Sequence, residues 1–262
     1  MFHICKILRK IPKNFAYLCP SENKMFQFKQ FTIQQQNCAM KVGTDGVLLG
    51  AWARVASARR ILDVGTGTGL IALMAAQRTT LATIDAIEIE KNAYAQACEN
   101  VRSSAWNNRI SVIHTSLQTF EPQHTYNVIL SNPPFFSQSL RNPDSAKSTA
   151  RHNHNLPPAE LLRYAHKLLQ PDGRIAVIYP VREAEQFLHE AHKIGLFPRR
   201  ITRVIPAPGK EVKRLLVEIS RQSTTCKETE LCIETNKRHV YSAEYCALTK
   251  DFYLKMECEH DC

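Results

Sequence analysis

No apolar run in this chain of 262 residues comes near the roughly 18 residues that a helical membrane span needs, so no span is expected. The first 24 residues are read as a poor secretory signal. Residues 1–24 hold Lys6, Arg9, Lys10, Lys13 and Lys24 against the single acid Glu22, without a sustained apolar segment. This segment is expected to be a basic, disordered extension, or even to lie upstream of the true start, because Met25 opens the first coherent block. A basic arm for nucleic acid is the competing reading. The nine cysteines include no C-x-x-C pair, and their number is odd. They are read as reduced, mostly structural thiols of a cytoplasmic protein. A metal site is not expected. His152 and His154 lack a third ligand, and the run Cys258-Glu259-His260-Asp261-Cys262 is read as a frayed tail. Acids are scarce relative to bases, 24 against 34, for a net charge of +10. A balance of that sign suggests a polyanion partner without saying which.

The 44% hydrophobic content provides ample core for one α/β domain with modest additions. Phe26-Gln27-Phe28 and Phe31-Thr32-Ile33 alternate as a small hairpin would. A turn-rich loop, Lys41 to Gly46, follows. Thr44 or Asp45 is expected to cap a helix from Val47 to Val55, and Asp45 is either that plain cap or a cofactor contact. Strands are expected at 60–64, 82–88, 109–115, 126–131 and 174–179, with a late pair at 201–205 and 215–219. Helices are expected at 70–77, 91–103, 157–169, 183–194 and 240–256. The apolar stripe of the second of these runs through Ala93, Tyr94, Ala97, Cys98 and Val101. The organisation is thus an extension (1–24), a hairpin and helix over the site (25–57), the main domain (58–256) and a tail (257–262).

Two stretches carry chemistry. The first, Asp63-Val64-Gly65-Thr66-Gly67-Thr68-Gly69, lies between a strand and a helix. Glycines there let the backbone approach a ligand closely. A dehydrogenase fingerprint would need its third glycine at position 70, which is Leu70, and the Walker lysine is absent. The next strand ends on Glu88, placed to accept hydrogen bonds from ribose hydroxyls. The second stretch is Asn132-Pro133-Pro134-Phe135. Two prolines cannot continue a sheet ladder, so Asn132 is expected to stand at a strand's carboxyl end with its amide beyond the sheet. An amide, a fixed carbonyl and an aromatic face suit a flat ring bearing an exocyclic amine. A plain strand terminator is the alternative. Between 197 and 214, Arg199, Arg200, Arg203, Lys210, Lys213 and Arg214 face the single acid Glu211. A patch for RNA phosphates and a solvated loop are equally weighted there.

The spacing acid-x-G-x-G-x-G resembles motif I of the S-adenosylmethionine-dependent methyltransferases, and Asn-Pro-Pro-Phe resembles the signature of those acting on amino groups. Lys41 to Trp52, Ile61 to Leu70, Ser131 to Phe136, Ala150-Arg151-His152, and Tyr241 to Tyr245 with Phe252-Tyr253-Leu254 together resemble the tRNA1(Val) (adenine(37)-N6)-methyltransferase family, over about 25–256. The resemblance implies a seven-stranded doubly wound, Rossmann-like sheet with a small N-terminal extension, and S-adenosyl-L-methionine as cofactor. It implies methylation of the adenine next to the anticodon of a valine tRNA. It assigns cofactor contacts to Lys41, Thr44, Asp45, Asp63, Gly65, Gly67, Gly69, Glu88, Ser116, Leu117 and Asn132. Related enzymes often carry Asp where Ser116 and Leu117 stand, which shifts adenine recognition toward backbone groups. Catalysis falls to Asn132, Pro133 and Phe135, and RNA contact to Pro134, Phe136, Arg151 and His152. Alternatives are another amino target, such as ribosomal RNA or DNA adenine or a release-factor glutamine, and a cofactor-binding RNA module without catalysis.

Overall fold

The computed structural model describes residues 25–36, 38, 41–134 and 156–259. Strands β1 (Met25–Gln27) and β2 (Thr32–Gln34) form an antiparallel hairpin. It is closed by the rings of Phe28 and Phe31, whose centroids lie 4.7 Å apart. The hairpin docks on the other end of the chain: Lys29 N donates to Phe252 O at 2.8 Å, and Phe28 bridges Tyr253.

Helix α1 (Thr44–Trp52) begins one turn earlier than expected and stops short of Val55. Gly43, extended, is its N-cap, and no side chain caps it. Asp45 is drawn elsewhere, pairing with Arg214 Nε at 2.8 Å. Then follow β3 (Arg60–Val64), α2 (Leu70–Gln77), β4 (Thr83–Glu88), α3 (Lys91–Arg102), β5 (Ile110–His114) and β6 (Tyr126–Ser131). After them come α4 (Pro158–Leu168), β7 (Leu169–Pro180), α5 (Val181–Lys193), β8 (Phe197–Ile205), β9 (Arg214–Ser220), β10 (Lys227–Cys232) and α6 (Ala243–Thr249). Proline starts α4, where its missing N–H costs nothing. Glu90 caps α3 by accepting from Asn92 N and Ala93 N.

The strands make one sheet in the order β10-β8-β9-β7-β6-β3-β4-β5. β5, β4, β3, β6 and β7 run parallel, and β9 is antiparallel to both β7 and β8. The expected seven strands are present, with β10 added parallel to the edge of β8. Its sequence, Lys-Glu-Thr-Glu-Leu-Cys, has little apolar signal and four exposed residues, which hides it from hydropathy.

Neighbouring residues on β3 point to opposite layers. Ile61 joins Leu48 and Leu73 under α1 and α2, while Leu62 joins Leu161 and Phe187 under α4 and α5. Both faces are therefore buried, which is why the central strands are continuous apolar runs. At Gly50 the first layer is packed tightly, because an added Cβ would lie 2.6 Å from Met74 Sδ.

Two expectations fail at the C-terminus. The helix covers only 243–249; beyond it, Phe252 is buried and Tyr253 and Cys258 enter isolated bridges in extended chain. Cys246 and Cys258 are disulfide-bonded rather than reduced, a pairing that needs the tail to fold back beside Tyr241 and leaves no C-x-x-C mark. Cys98, Cys226 and Cys232 are not in disulfides.

Candidate active site

The chain departs from β3 toward β4 and β5 on one side and toward β6 and β7 on the other. Ligands bind open α/β sheets at such a switch, outside the carboxyl ends of the strands. Val64 and Ser131 are register partners there, and Ser131 Oγ donates to Val64 O at 2.9 Å. The glycine turn and Asn132 therefore start side by side.

The turn is held from beneath. Asp63 is fully buried, and its Oδ2 accepts from Thr66 Oγ1 at 2.6 Å and Ala72 N at 3.1 Å, which closes the turn onto α2. Burial pushes the Asp63 carboxyl up to about 7, against the opposing pull of those two bonds and with help from the nearby charge of Glu88. Glu88 reaches the turn from the next strand. Its Oε2 accepts from Gly67 N at 2.8 Å, and its Oε1 from the N–H groups of Ile89 and Glu90, both at 2.9 Å. Three of about four acceptor positions of this carboxylate are thus used by backbone, leaving one for a ligand. Gly65 and Gly67 adopt φ of +69° and +59°. No atom lies within 4 Å of a Cβ added at either. Side chains at these two positions would be strained and would project over the turn instead of leaving bare backbone.

The turn walls a cleft of about 320 Å³, the size of a small-ligand site. Lys41, Thr44 and Asp45 line it from the α1 side, Gly65 and Gly67 from the turn, and Asn132 from β6. Asn132 Oδ1 is buried without a hydrogen-bond partner among the described residues, as is Asp63 Oδ1. A buried acceptor left unpaired costs on the order of 1–3 kcal/mol, so such atoms mark where a donor is expected. Pro133 is buried and Pro134 exposed beside it.

Other expected residues fall off the wall. Asp63 lies under the turn, Glu88 behind it, and Gly69 is the N-cap of α2. Ser116 Oγ bonds Thr119 Oγ1 at 2.8 Å, and Leu117 is packed in the second core layer. Phe135, Phe136, Arg151 and His152 lie outside the described residues.

The Methyltransferase small domain model matches residues 41–193, more than half of the chain. A tRNA1(Val) (adenine(37)-N6)-methyltransferase of Bacteroides fragilis is 48% identical over 88% of this chain and 98% of its own length. One from Parabacteroides distasonis is 49% identical over 89% of this chain and 99% of its own. This chain belongs to the tRNA1(Val) (adenine(37)-N6)-methyltransferase family. It is an enzyme of the methyltransferase class. A crystal structure of a predicted O-methyltransferase from Agrobacterium tumefaciens superposes with a TM-score of 0.61 at 17% identity, covering 83% of this chain and 100% of that one. That likeness concerns the fold alone.

The structure of this methyltransferase also brings in residues that the motifs did not mark. On α3 the buried stripe runs through Gln96 and Asn100, while Tyr94 and Cys98 are only half-buried. Asn100 Oδ1 accepts from Gln34 N at 2.8 Å, and its Nδ2 donates to Gln34 O and Thr68 O. One amide thereby ties the N-terminal hairpin to the glycine turn. Gln35 Oε1 accepts from Val42 N at 2.8 Å and anchors the loop before α1. An asparagine in register with Ala93 and Ala97 on a core face was the available signal. Ile89, next to Glu88, is an apolar side chain left 44% exposed at the same sheet edge.

Most of the basic stretch at 197–214 is internally paired. The Arg200 guanidinium lies 3.6 Å from the centroid of the Trp52 ring and pairs with Glu218. Arg203 pairs with Glu228, Arg214 with Asp45, and Arg199 donates to Gln222. Lys210 and Lys213 stand in solvent, as does the exposed Arg203–Glu228 pair, and Lys213 is 3.5 Å from the exposed Glu211. Among the described residues no cluster of metal-ligand side chains occurs, and no helix is long and apolar enough to cross a membrane.

Proposed function

We propose that this enzyme transfers a methyl group from S-adenosyl-L-methionine to the exocyclic N6 of adenine 37, next to the anticodon of a valine tRNA. The observation that carries the reading is the Asn132 amide, with its Oδ1 buried and unpaired at the end of β6 beside the glycine turn. Membership of the family and the small methyltransferase domain support it.

The cleft fits the cofactor in size and in its bare backbone at Gly65 and Gly67. Gly65 to Thr68, with Thr44, Asp45 and Lys41, would hold it, and Glu88 offers its remaining acceptor position to a ribose hydroxyl. Ile89, Ser116 and Leu117 are the candidates to flank its adenine ring. When bound, S-adenosyl-L-methionine supplies an electrophilic methyl carbon.

The rest is the work of this chain's own groups. An adenine amine is a poor nucleophile because its lone pair is delocalised into the ring. Asn132 Oδ1 and the Pro133 carbonyl can each accept one N–H of that amine. Both bonds strengthen as positive charge develops on the nitrogen, so they favour the transition state over the ground state. The prolines fix both acceptors before the base arrives, and orientation of that kind lowers the barrier. Phe135, by its place in the sequence, is the stacking candidate. The target base has to leave its stack to reach Asn132, which costs least in an exposed loop.

The test is methyl transfer from labelled cofactor to total tRNA, followed by mapping of the modified nucleotide. Label at adenine 37 of valine tRNA is the expected result. Label in ribosomal RNA, DNA or a release factor, with none in tRNA, would overturn the substrate assignment.

A further inference from the structure

The C-terminal blocks at 241–245 and 252–254 take no part in the cofactor cleft, yet they build a second cavity beside it. This cavity measures about 640 Å³ and shares Val42, Gly43 and Thr44 with the first as a common wall. Its lining is aromatic. Phe26 comes from the hairpin, and Tyr241, Tyr245 and Tyr253 come from around α6. Tyr241 and Tyr245 stand 5.3 Å apart, and Tyr253 meets Phe26 edge-on at 6.2 Å. Phe26, Tyr241 and Tyr253 are only half-buried, so part of each ring faces the opening. Burial pushes the Tyr245 and Tyr253 hydroxyls up, which keeps them neutral.

The charges at the rim favour an anion. Lys255 lines this cavity and Lys41 lines its neighbour; both are exposed and neither forms an ion pair among the described residues. The acid in the wall, Glu234, is turned to His239, accepting from its N–H at 3.3 Å. Aromatic faces flanked by lysines form the platform on which single-stranded nucleic acids stack their bases, since every base has a π-face. Asn132 lines the first cavity, and Val42, Gly43 and Thr44 separate it from the second.

We infer that this second cavity holds, by stacking against Tyr241 and Tyr253, an unpaired base adjacent to the methylated adenine. The inference rests on the RNA reading proposed above. It makes the enzyme a reader of at least two unstacked nucleotides. The N-terminal hairpin and the C-terminal tail then form a base-binding module attached to the methyl-transfer domain.

The test uses the full-length protein and an RNA hairpin carrying the target adenine in its loop, together with versions lacking the base on either side of it. Tyr241→Ala and Tyr253→Ala are each expected to weaken binding of the intact hairpin about tenfold, within the range for losing one base–aromatic stack. Cofactor affinity, measured by calorimetry, is expected to stay within twofold. Tyr241→Phe keeps the ring and should bind as the wild type does. Tyr253→Leu keeps packing volume without the ring and should behave like the alanine variant if its melting curve is intact. In a double-mutant cycle, removing the neighbouring base should abolish most of the tyrosine effect. Additive losses, loss of cofactor binding, or unchanged hairpin affinity in the alanine and leucine variants would each overturn the inference. If the wild type methylates the hairpin while those variants match it, this inference falls and the proposed function stands. If the wild type methylates no RNA adenine but does methylate another substrate, both fall.

Discussion

The glycine turn after β3 and the basic stretch from Phe197 to Arg214 are both polar, and both lie where a tRNA enzyme would use polar groups. At the turn, polar atoms that could pair internally do not: Asn132 Oδ1 and Asp63 Oδ1 are buried with no partner among the described residues. In the basic stretch, charges that could have faced a polyanion are taken up by the protein itself. Arg200, Arg203 and Arg214 each have a carboxylate partner, and Arg200 is also stacked on Trp52, with its Nε the one buried side-chain polar atom of the stretch left without a partner among the described residues. Position along the chain therefore says little about which charges serve a substrate. What remains unsatisfied after folding says more, because folding otherwise pairs its buried polar groups.

The largest effect is expected where the unpaired acceptor is removed. Asn132→Ala should lower single-turnover methylation of valine tRNA by about 10²–10³, the usual cost of one preorganised electrostatic contact to a transition state. Cofactor affinity and melting temperature should hardly change, because Oδ1 has no partner within the described fold. Methylation at the wild-type rate would reduce Asn132-Pro133-Pro134 to a strand terminator.

The opposite behaviour is expected of Arg200, whose side chain is 14% exposed beside a Glu218 side chain at 3%. Burial pushes its guanidinium down to about 10, so it stays charged at neutral pH. Removing one partner of such a pair leaves a buried charge uncompensated, at a cost of about 3–5 kcal/mol. Arg200→Ala should lower the melting temperature by roughly 10 °C. The salt dependence of RNA binding should stay the same. A fall in RNA affinity with unchanged stability would reverse the comparison between the two regions.

How far the sequence reveals each region follows from the range of the forces involved. The turn is local: strand, glycines and helix all fall within 60–77, and the sequence marks their bounds closely. Asn132 is marked by the two prolines after it, a backbone constraint that needs no tertiary context. The pairings of Arg200 with Glu218 and Arg214 with Asp45 span 18 and 169 residues, and Asn100 reaches 66 residues back to Gln34. Nothing in composition or period announces them. β10 and the Cys246–Cys258 bond were missed for the same reason, since each depends on a partner that only the folded sheet or tail supplies.

Asp63 offers a subtler handle on the turn. A carboxyl that binds its proton more tightly in the folded state makes its largest contribution to stability at low pH. With a folded value of about 7 against 3.8 as the ordinary one, that contribution is complete below about 3.8. It is lost as pH rises to about 7, at up to about 1.4 kcal/mol per pH unit. Asp63→Asn cannot titrate there. Its stability relative to the wild type should therefore increase from pH 4.5 to pH 7 and level off above. Denaturant melts across that range give the difference directly, and a constant difference would mean that Asp63 titrates as an ordinary carboxyl.

The smallest effect is expected from the two solvent-facing lysines of the basic stretch. The Lys213–Glu211 pair is 3.5 Å long between groups 59% and 90% exposed, and pairs of that kind add little to stability. Lys210→Ala and Lys213→Ala should leave the melting temperature where it is. Of the exposed charges in the stretch, these two ammonium groups are the most open to RNA, because the exposed Arg203 is held by Glu228. Each substitution should then weaken tRNA binding a few-fold at low salt, lower the slope of log affinity against log salt by about one, and leave cofactor affinity alone. An unchanged slope in the double variant would remove these two lysines from the RNA interface. RNA recognition would then rest on the lysines beside the two cavities, Lys41 and Lys255, and on the aromatic walls between them.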